Sequence, residues 1–445
     1  MKGLLIAAPH TGSGKTTITL GLLRAMRDAG LPVAAAKTGP DFIDPAYLEA
    51  ACGSPAINLD PWAMRPDLIT ALASRAAEGG KMLIVEGMMG LYDASADGKG
   101  STADLAAMLQ LPVILVVDCA RMSHSVAAIV RGFREHSTAI DVAGVILNNV
   151  SGPRHEAMLR DALEVLRTPI LGIITRAADV SLPSRHLGLV QAGEHSDLEA
   201  FIARCAMMVS NAVDFGQLTR IASRFPQFVA TAAVPRLKAP GKKIAFARDA
   251  AFAFSYNHLL LGWQRQGVEL SFFSPLANEA PSDNADAVCL PGGYPELHAA
   301  TLANAGNFFE GMQAARKRGA VIYGECGGYM VLGENLIDAS GTAHKMLGFL
   351  GLTTSFEKRK LHLGYRRVRF CEGLGFRGGF NAHEFHYTSI VSEEGARVFD
   401  VRDALDNDLG QAGLVEGRIY GSFMHLIDRS DAQFSASALP FDEDD

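Results

Sequence analysis

With 445 residues the chain is too long for one ordinary hydrophobic core, so two or three α/β domains are expected. Its composition, 48% hydrophobic and 20% charged with a net charge of −7, speaks against a nucleic-acid partner, which would call for a clustered basic face. No apolar run approaches the ~20 residues of a membrane helix, so no membrane partner is expected. Six singly scattered cysteines fit neither a zinc pattern nor a disulfide framework, which points to reduced thiols and a cytoplasmic location.

In chain order, Gly3–Ala8, Val33–Lys37, Met82–Glu86, Val113–Asp118, Ala143–Asn148 and Ile170–Thr175 read as strands, with helical stretches such as Thr16–Ala29 and Leu68–Ala77 between several of them. Continuous rather than alternating apolar strands indicate a parallel sheet covered on both faces. The economical architecture is an open, doubly wound α/β domain over residues 1–215. A proline-containing, aperiodic stretch within Asn211–Lys243 reads as a connection, assigned to 216–241. A second α/β domain, 242–435, has strands at Ile244–Ala247, Glu269–Phe273, Ala287–Leu290 and Ala320–Tyr323. Further strand-like runs lie around Arg366–Phe370, Phe385–Thr388 and Arg418–Ser422, and an acidic tail, 436–445, is expected to be disordered.

The first strand runs into "TGSGKTT", Thr11–Thr17, which opens a helix. Phosphate oxygens need converging backbone N–H groups, and glycine lets the backbone approach closely. Thr11, Gly12, Ser13, Gly14, Lys15, Thr16 and Thr17 are therefore the candidate ATP-binding loop, with Lys15 reaching the β/γ-phosphates and Thr16 holding Mg²⁺. The full pattern wants a glycine where this chain has Pro9. A hard cation also needs carboxylates at neighbouring strand ends, where the ligand crevice of such a sheet lies. Asp41 and Asp44 follow the second strand in "KTGPDFIDP", and Glu86 ends the next in "VEGMMGLYD". The candidate metal ligands are Thr16, Asp41 and Glu86; Asp41, Asp44 and Asp93 are candidates for substrate binding and activation. Asn148, at the end of "GVILNN", is a candidate for the base edge of the nucleotide, or else a strand-end turn former.

In the second half, "GECGG" follows a buried strand with the spacing of a nucleophile elbow, a tight turn that lifts Cys326 clear. The following helix N-terminus is expected to favour thiolate over thiol. Gly327 and Gly293, the latter in "LPGGYPE", are the candidate oxyanion donors. His425, just past a strand in "GSFMHL", is the candidate base. In "AHEFHYT", His383 and His386 would point to opposite faces of a strand, which argues against a metal.

Taken in order, the phosphate loop, "KTGPDFIDP", "VEGMMGLYD", "LPGGYPE", "GECGGYM", "HEFHYT" and "GSFMHL" resemble the cobyrinic or hydrogenobyrinic acid a,c-diamide synthase family over nearly the whole chain. The resemblance implies an N-terminal P-loop synthetase domain related to dethiobiotin synthetase and a C-terminal class I glutamine amidotransferase domain. It implies a ligase that takes ATP, Mg²⁺, glutamine and a corrinoid polycarboxylate, amidating c before a through acyl phosphates. Ammonia from a Cys326 thioester would pass between the domains. Most such amidotransferase domains carry a glutamate two residues after the catalytic histidine, where this chain has Ile427; Glu384 is then a candidate to orient His425. Lys358, Arg359, Lys360, Arg366 and Arg367 offer a basic lining for the corrinoid, although a solvated face is the plainer reading. A homodimer is left open. Two rival readings are a cobyric acid synthase acting on other ring carboxylates, disfavoured by "GPDFIDP", and a partitioning-type ATPase switch with an inert amidotransferase-like module, disfavoured by an intact Cys326 and His425.

Overall fold

The computed structural model describes residues 2–176, 184–185, 188–222, 234, 236–371 and 378–430. The chain divides into two compact units, one of residues 1–62 and 66–234, the other of 63–65 and 235–445.

The first unit alternates strands and helices: β1 (Lys2–Ala7), α1 (Lys15–Asp28), β2 (Val33–Thr38), α2 (Asp44–Cys52), β3 (Ile57–Leu59), α3 (Pro66–Ala76), β4 (Met82–Glu86), α4 (Thr102–Leu109), β5 (Val113–Asp118), α5 (Ser125–Glu135), β6 (Val142–Val150), α6 (Pro153–Glu164) and β7 (Ile170–Thr175). A short ladder of β8 (Ser184–Arg185) and β9 (Gly188–Leu189) precedes α7 (Leu198–Ala212) and α8 (Phe215–Ala222). Seven strands form one sheet in the order β3-β2-β4-β1-β5-β6-β7, with every registered pair parallel. The doubly wound reading therefore holds. β2 and β4 are buried along their whole length, as their unbroken apolar runs require. On one face α1 buries Ile18, Leu22 and Met26 in a core shared with Phe201, Cys205 and Val209 of α7. Gly21 makes that helix pair possible, because a Cβ there would stand 2.5 Å from the Cys205 carbonyl oxygen. Residues 215–222, placed mostly in the connection by composition, are the helix α8, whose Leu218 and Ile221 join the same core. The remainder of that stretch up to 233, and the acidic tail, lie outside the described residues.

The second unit opens with β10 (Lys243–Ala247), α9 (Asn257–Arg265), β11 (Glu269–Phe273), β12 (Ala287–Leu290), α10 (Ala299–Ala303), α11 (Gly306–Lys317), β13 (Val321–Glu325) and α12 (Gly327–Leu332). Among the described residues it continues in strands: β14 (Asn335–Ile337), β15 (Ala343–Lys345), β16 (Gly351–Ser355), β17 (His362–Phe370), β18 (Gly379–His386), β19 (Ser389–Glu394), β20 (Ala396–Asp403), β21 (Asp408–Glu416), β22 (Ile419–Ser422) and β23 (Met424–Arg429). The main sheet runs β11-β10-β12-β13-β22-β21-β20-β17-β18-β23. It is parallel from β11 to β22 and antiparallel beyond. A smaller sheet, β15-β14-β16-β19, packs its Leu336 and Leu352 into the core that surrounds Tyr329 and Phe349.

Two expectations are corrected here. The strand expected at Phe385–Thr388 runs from Gly379 to His386, and His425 lies within β23 rather than just past a strand. β22 and β23 form one nearly continuous run bent at Phe423; β22 pairs with β13 and β21, whereas β23 pairs with β18.

Candidate active site

In the first unit the loop after β1 is shaped by glycines. Gly12 and Gly14 have φ of 85° and 93°, where a Cβ is disfavoured. Gly14 precedes α1 directly, and a Cβ on it would stand 2.3 Å from Asn148 Nδ2. That same Nδ2 donates to the Ser13 carbonyl oxygen at 3.0 Å, so Asn148 braces the loop from the end of β6. Ser13 is buried, Thr11 and Gly12 are exposed, and Thr16 and Thr17 are half-buried in the first turn of α1. Lys15 Nζ donates to the Met89 carbonyl oxygen at 2.6 Å. Burial first, then the charge of Lys37, lowers Lys15 to about 8.

β4 lies between β1 and β2, which brings the end of "MLIVE" against both neighbouring loops. Glu86 Oε1 accepts from the Thr16 hydroxyl at 2.6 Å and from Lys37 Nζ at 2.9 Å. Lys37 Nζ also pairs with Asp44 Oδ2 at 2.5 Å. Burial opposes the charge on Lys37, but Asp44, Glu86 and Asp41 together hold it well above the usual lysine range. Burial pushes the Glu86 carboxyl up while Lys37 pulls it back. Asp41 Oδ1 accepts from the N–H groups of Ile43 and Asp44 at 2.8 and 2.9 Å; burial, followed by the charge of Asp44, raises this carboxyl to about 6. Asp93 is exposed, its Oδ2 accepting from the Gly90 N–H at 2.7 Å, and its charge favours protonated Lys15.

The first-unit candidates thus gather at the ends of β1, β2, β4 and β6. Lys37 was not anticipated; its only sequence signal is a lysine closing the apolar run "VAAAK". The residues fit a hard divalent cation. Glu86 Oε2 is buried without a hydrogen-bond partner and Thr16 supplies a hydroxyl oxygen beside it.

In the second unit Cys326 sits between β13 and α12 with φ 48° and ψ −103°, a strained conformation for a residue with a Cβ. Two neighbouring glycines allow the backbone to pack this closely. A Cβ on Gly328 would stand 1.9 Å from the Leu290 carbonyl oxygen, and one on Gly292 would stand 2.4 Å from His425 Cε1 and 3.2 Å from Cys326 Cβ. Cys326 and His425 therefore meet over Gly292. The N–H groups of Gly293 and Gly327 are directed at the sulfur. The expected thiolate is corrected: burial first, then the charge of Glu296, holds the thiol well above its usual range, outweighing those two donors. Its Sγ lies 3.5 Å from the Phe385 carbonyl oxygen.

His425 is fully buried, and its Nδ1 lies 3.5 Å from Glu325 Oε2. Glu384 is not its partner. That carboxylate is held by Arg366 at 2.7 Å and by His386 at 3.0 Å, which depress it to about 2 against the effect of burial. His362, Glu384 and His386 place potential ligand atoms within 4.8 Å of one another. The two imidazole rings stack at 4.6 Å and 6°, however, so their in-plane lone pairs cannot converge on one ion as they stand. Lys358, Arg359 and Lys360 are exposed, whereas Arg366 is tied to Glu384 and Arg367 lies 3.8 Å from Asp406.

Residues 4–190 match the CobQ/CobB/MinD/ParA nucleotide binding domain, and residues 243–433 match the CobB/CobQ-like glutamine amidotransferase domain. Full-length relatives carry the name hydrogenobyrinate a,c-diamide synthase. That of Brucella anthropi is 60% identical over 96% of this chain and 99% of its own. Those of a Sinorhizobium species and of Rhizobium meliloti are 59% and 58% identical, over 96% and 97% of this chain and 99% and 100% of their own.

Proposed function

The chain belongs to the hydrogenobyrinate a,c-diamide synthase family, a family of glutamine-dependent amidoligases, and from that membership we propose that it converts the a and c carboxylates of hydrogenobyrinate to amides with ATP and glutamine. The observation that carries the reading is the meeting of Cys326 and His425 over Gly292, on the same chain as a glycine loop braced against Glu86.

Burial of Cys326, which disfavours its thiolate, fits a coupled opening of glutamine. Cys326 Sγ attacks the side-chain carbonyl carbon as its proton passes to His425, so attack and proton transfer are coupled. The Gly293 and Gly327 N–H groups hold the oxyanion. His425 returns the proton to the departing nitrogen, ammonia leaves, and water hydrolyses the thioester to glutamate.

In the first unit a ring carboxylate takes the γ-phosphoryl group of ATP, releasing ADP and forming an acyl phosphate. Ammonia then displaces phosphate to give the amide. Thr11–Thr17 cradle the phosphates through backbone N–H groups, Asn148 keeps that loop in shape, and Lys15 turns from the Met89 carbonyl toward the transferred charge. Thr16, Glu86 and Asp41 would hold Mg²⁺, which would neutralise phosphate charge there. Asp44 and Asp93 face the ring substrate, and Lys37 holds the Glu86 and Asp44 carboxylates in place by pairing with both.

A time course by mass spectrometry, with NMR to locate the amides, tests the proposal on purified full-length chain supplied with hydrogenobyrinate. One monoamide followed by an a,c-diamide is expected. Accumulation of tetra- or penta-amide would move the chain to cobyric acid synthase chemistry.

A further inference from the structure

Ile427 leaves His425 without a carboxylate on its own strand, yet the imidazole is not left without an acidic neighbour. Glu325, the residue immediately before the nucleophile, directs Oε2 to within 3.5 Å of His425 Nδ1. The other oxygen is fixed from two sides. Oε1 accepts from the Tyr323 hydroxyl at 2.9 Å and from the Leu426 N–H at 3.2 Å. Tyr323 and Glu325 lie two apart on β13 and so share a face, which lets the phenol steady the carboxylate. The Leu426 amide belongs to the strand that carries His425, so the carboxylate ties β13 to β23 at the catalytic histidine. The surroundings are apolar: Leu260, Trp263, Cys289, Tyr323 and Leu426 line a cavity of about 40 Å³ whose wall includes Glu325. At 3.5 Å the contact is an ion-pair distance that a small approach of the imidazole turns into a hydrogen bond, and such a bond is strengthened in an apolar medium.

We propose that Glu325 is the positioning residue of the glutaminase site, accepting Nδ1–H of His425 so that Nε2 is left as the acceptor for the Cys326 proton. This inference rests on the Cys326–His425 reading above and deepens it. An imidazole has one acceptor nitrogen when neutral, and the tautomer is set by whatever the other nitrogen binds. With a carboxylate at Nδ1 the acceptor is Nε2, the nitrogen on the side of Gly292 and Cys326. The nucleophile and the group that orients its base are thus adjacent residues on one strained turn. Displacing that turn moves both together.

Glu325→Gln is the discriminating substitution, since it keeps volume and the Oε1 contacts but can present N–H to Nδ1, selecting the wrong tautomer. Full-length protein should lose glutamine-dependent kcat by about 10²-fold or more, with KM for glutamine little changed, as expected for a general base held in the wrong state. Ammonium-dependent amidation should stay at the wild-type rate and reports that the variant is folded. Selective ¹⁵N-histidine NMR should show His425 with Nε2 unprotonated in wild type and protonated in Glu325→Gln. Glu325→Asp should recover part of the kcat loss. Unchanged kcat, or an unchanged tautomer, in a variant that retains ammonium-dependent activity would overturn the positioning role. Glutamine-dependent turnover surviving in Cys326→Ala would instead overturn the underlying glutaminase reading.

Discussion

The first-unit site is built from charge and the second-unit site from shape. Around β4, the buried side chains of Lys37, Glu86 and Asp44 are paired with one another, and Lys15 is lowered to about 8 by burial and the neighbouring lysine. Around β13 the decisive features are a cysteine at φ 48°, glycines with no room for a Cβ, and a thiol pushed up by burial. The chemistries account for the contrast. Phosphoryl transfer moves several negative charges and needs fixed counter-charges, which cost little to reorganise. Thioester formation begins and ends with neutral groups, so it needs one nucleophile in an exact place and a nearby proton acceptor.

That contrast is sharpest where the nitrogen source is varied. Cys326→Ala should cut glutamine-dependent amidation by ~10³-fold or more and leave ammonium-dependent amidation intact, whereas Lys15→Ala or Glu86→Gln should depress both by about 10²–10³-fold. Parallel steady-state assays with the two nitrogen donors read this directly; recovery of Lys15→Ala by ammonium would break the assignment. Next in size is Lys37→Met, which removes the cation between two buried carboxylates. Urea unfolding should show a loss of about 3–5 kcal/mol, and a loss under 1 kcal/mol would show that the ions are not mutually dependent. Gly292→Ala should lower glutamine-dependent kcat by about 10²-fold through displacement of His425, with ammonium-dependent activity preserved. The smallest effect is expected for Asp93→Asn, which keeps the Gly90 contact but loses charge. A few-fold slowing of the second amidation relative to the first should appear in the monoamide-to-diamide time course; equal slowing of both steps would reduce Asp93 to a general activation role.

Local signals carried much of the plan. The apolar runs of β1, β2, β4, β5, β6 and β7 are legible because a parallel strand buried on both faces has to be continuously hydrophobic. Glycine placement exposed both loops, since positive φ at Gly12 and Gly14 leaves little other choice of residue. The later strands were harder. β19, "SIVSEE", and β21, "DLGQAGLVE", mix polar and apolar residues without a clean alternation and are largely exposed, so their pairing partners rather than their own periodicity make them strands.

The sequence by itself determined which groups could do chemistry: a phosphate loop, strand-end acids, an elbow cysteine and a histidine placed just past a strand. Tertiary structure alone decided their states and partners. It placed Lys37 between Glu86 and Asp44, turned Glu384 to Arg366 and His386, and set Glu325 beside His425. It also pushes the Cys326 thiol up, because burial and the charge of Glu296 outweigh the donors of the elbow. A motif records spacing along one chain segment. Desolvation and Coulomb interaction depend on what other segments bring within a few ångströms, and no local pattern encodes that.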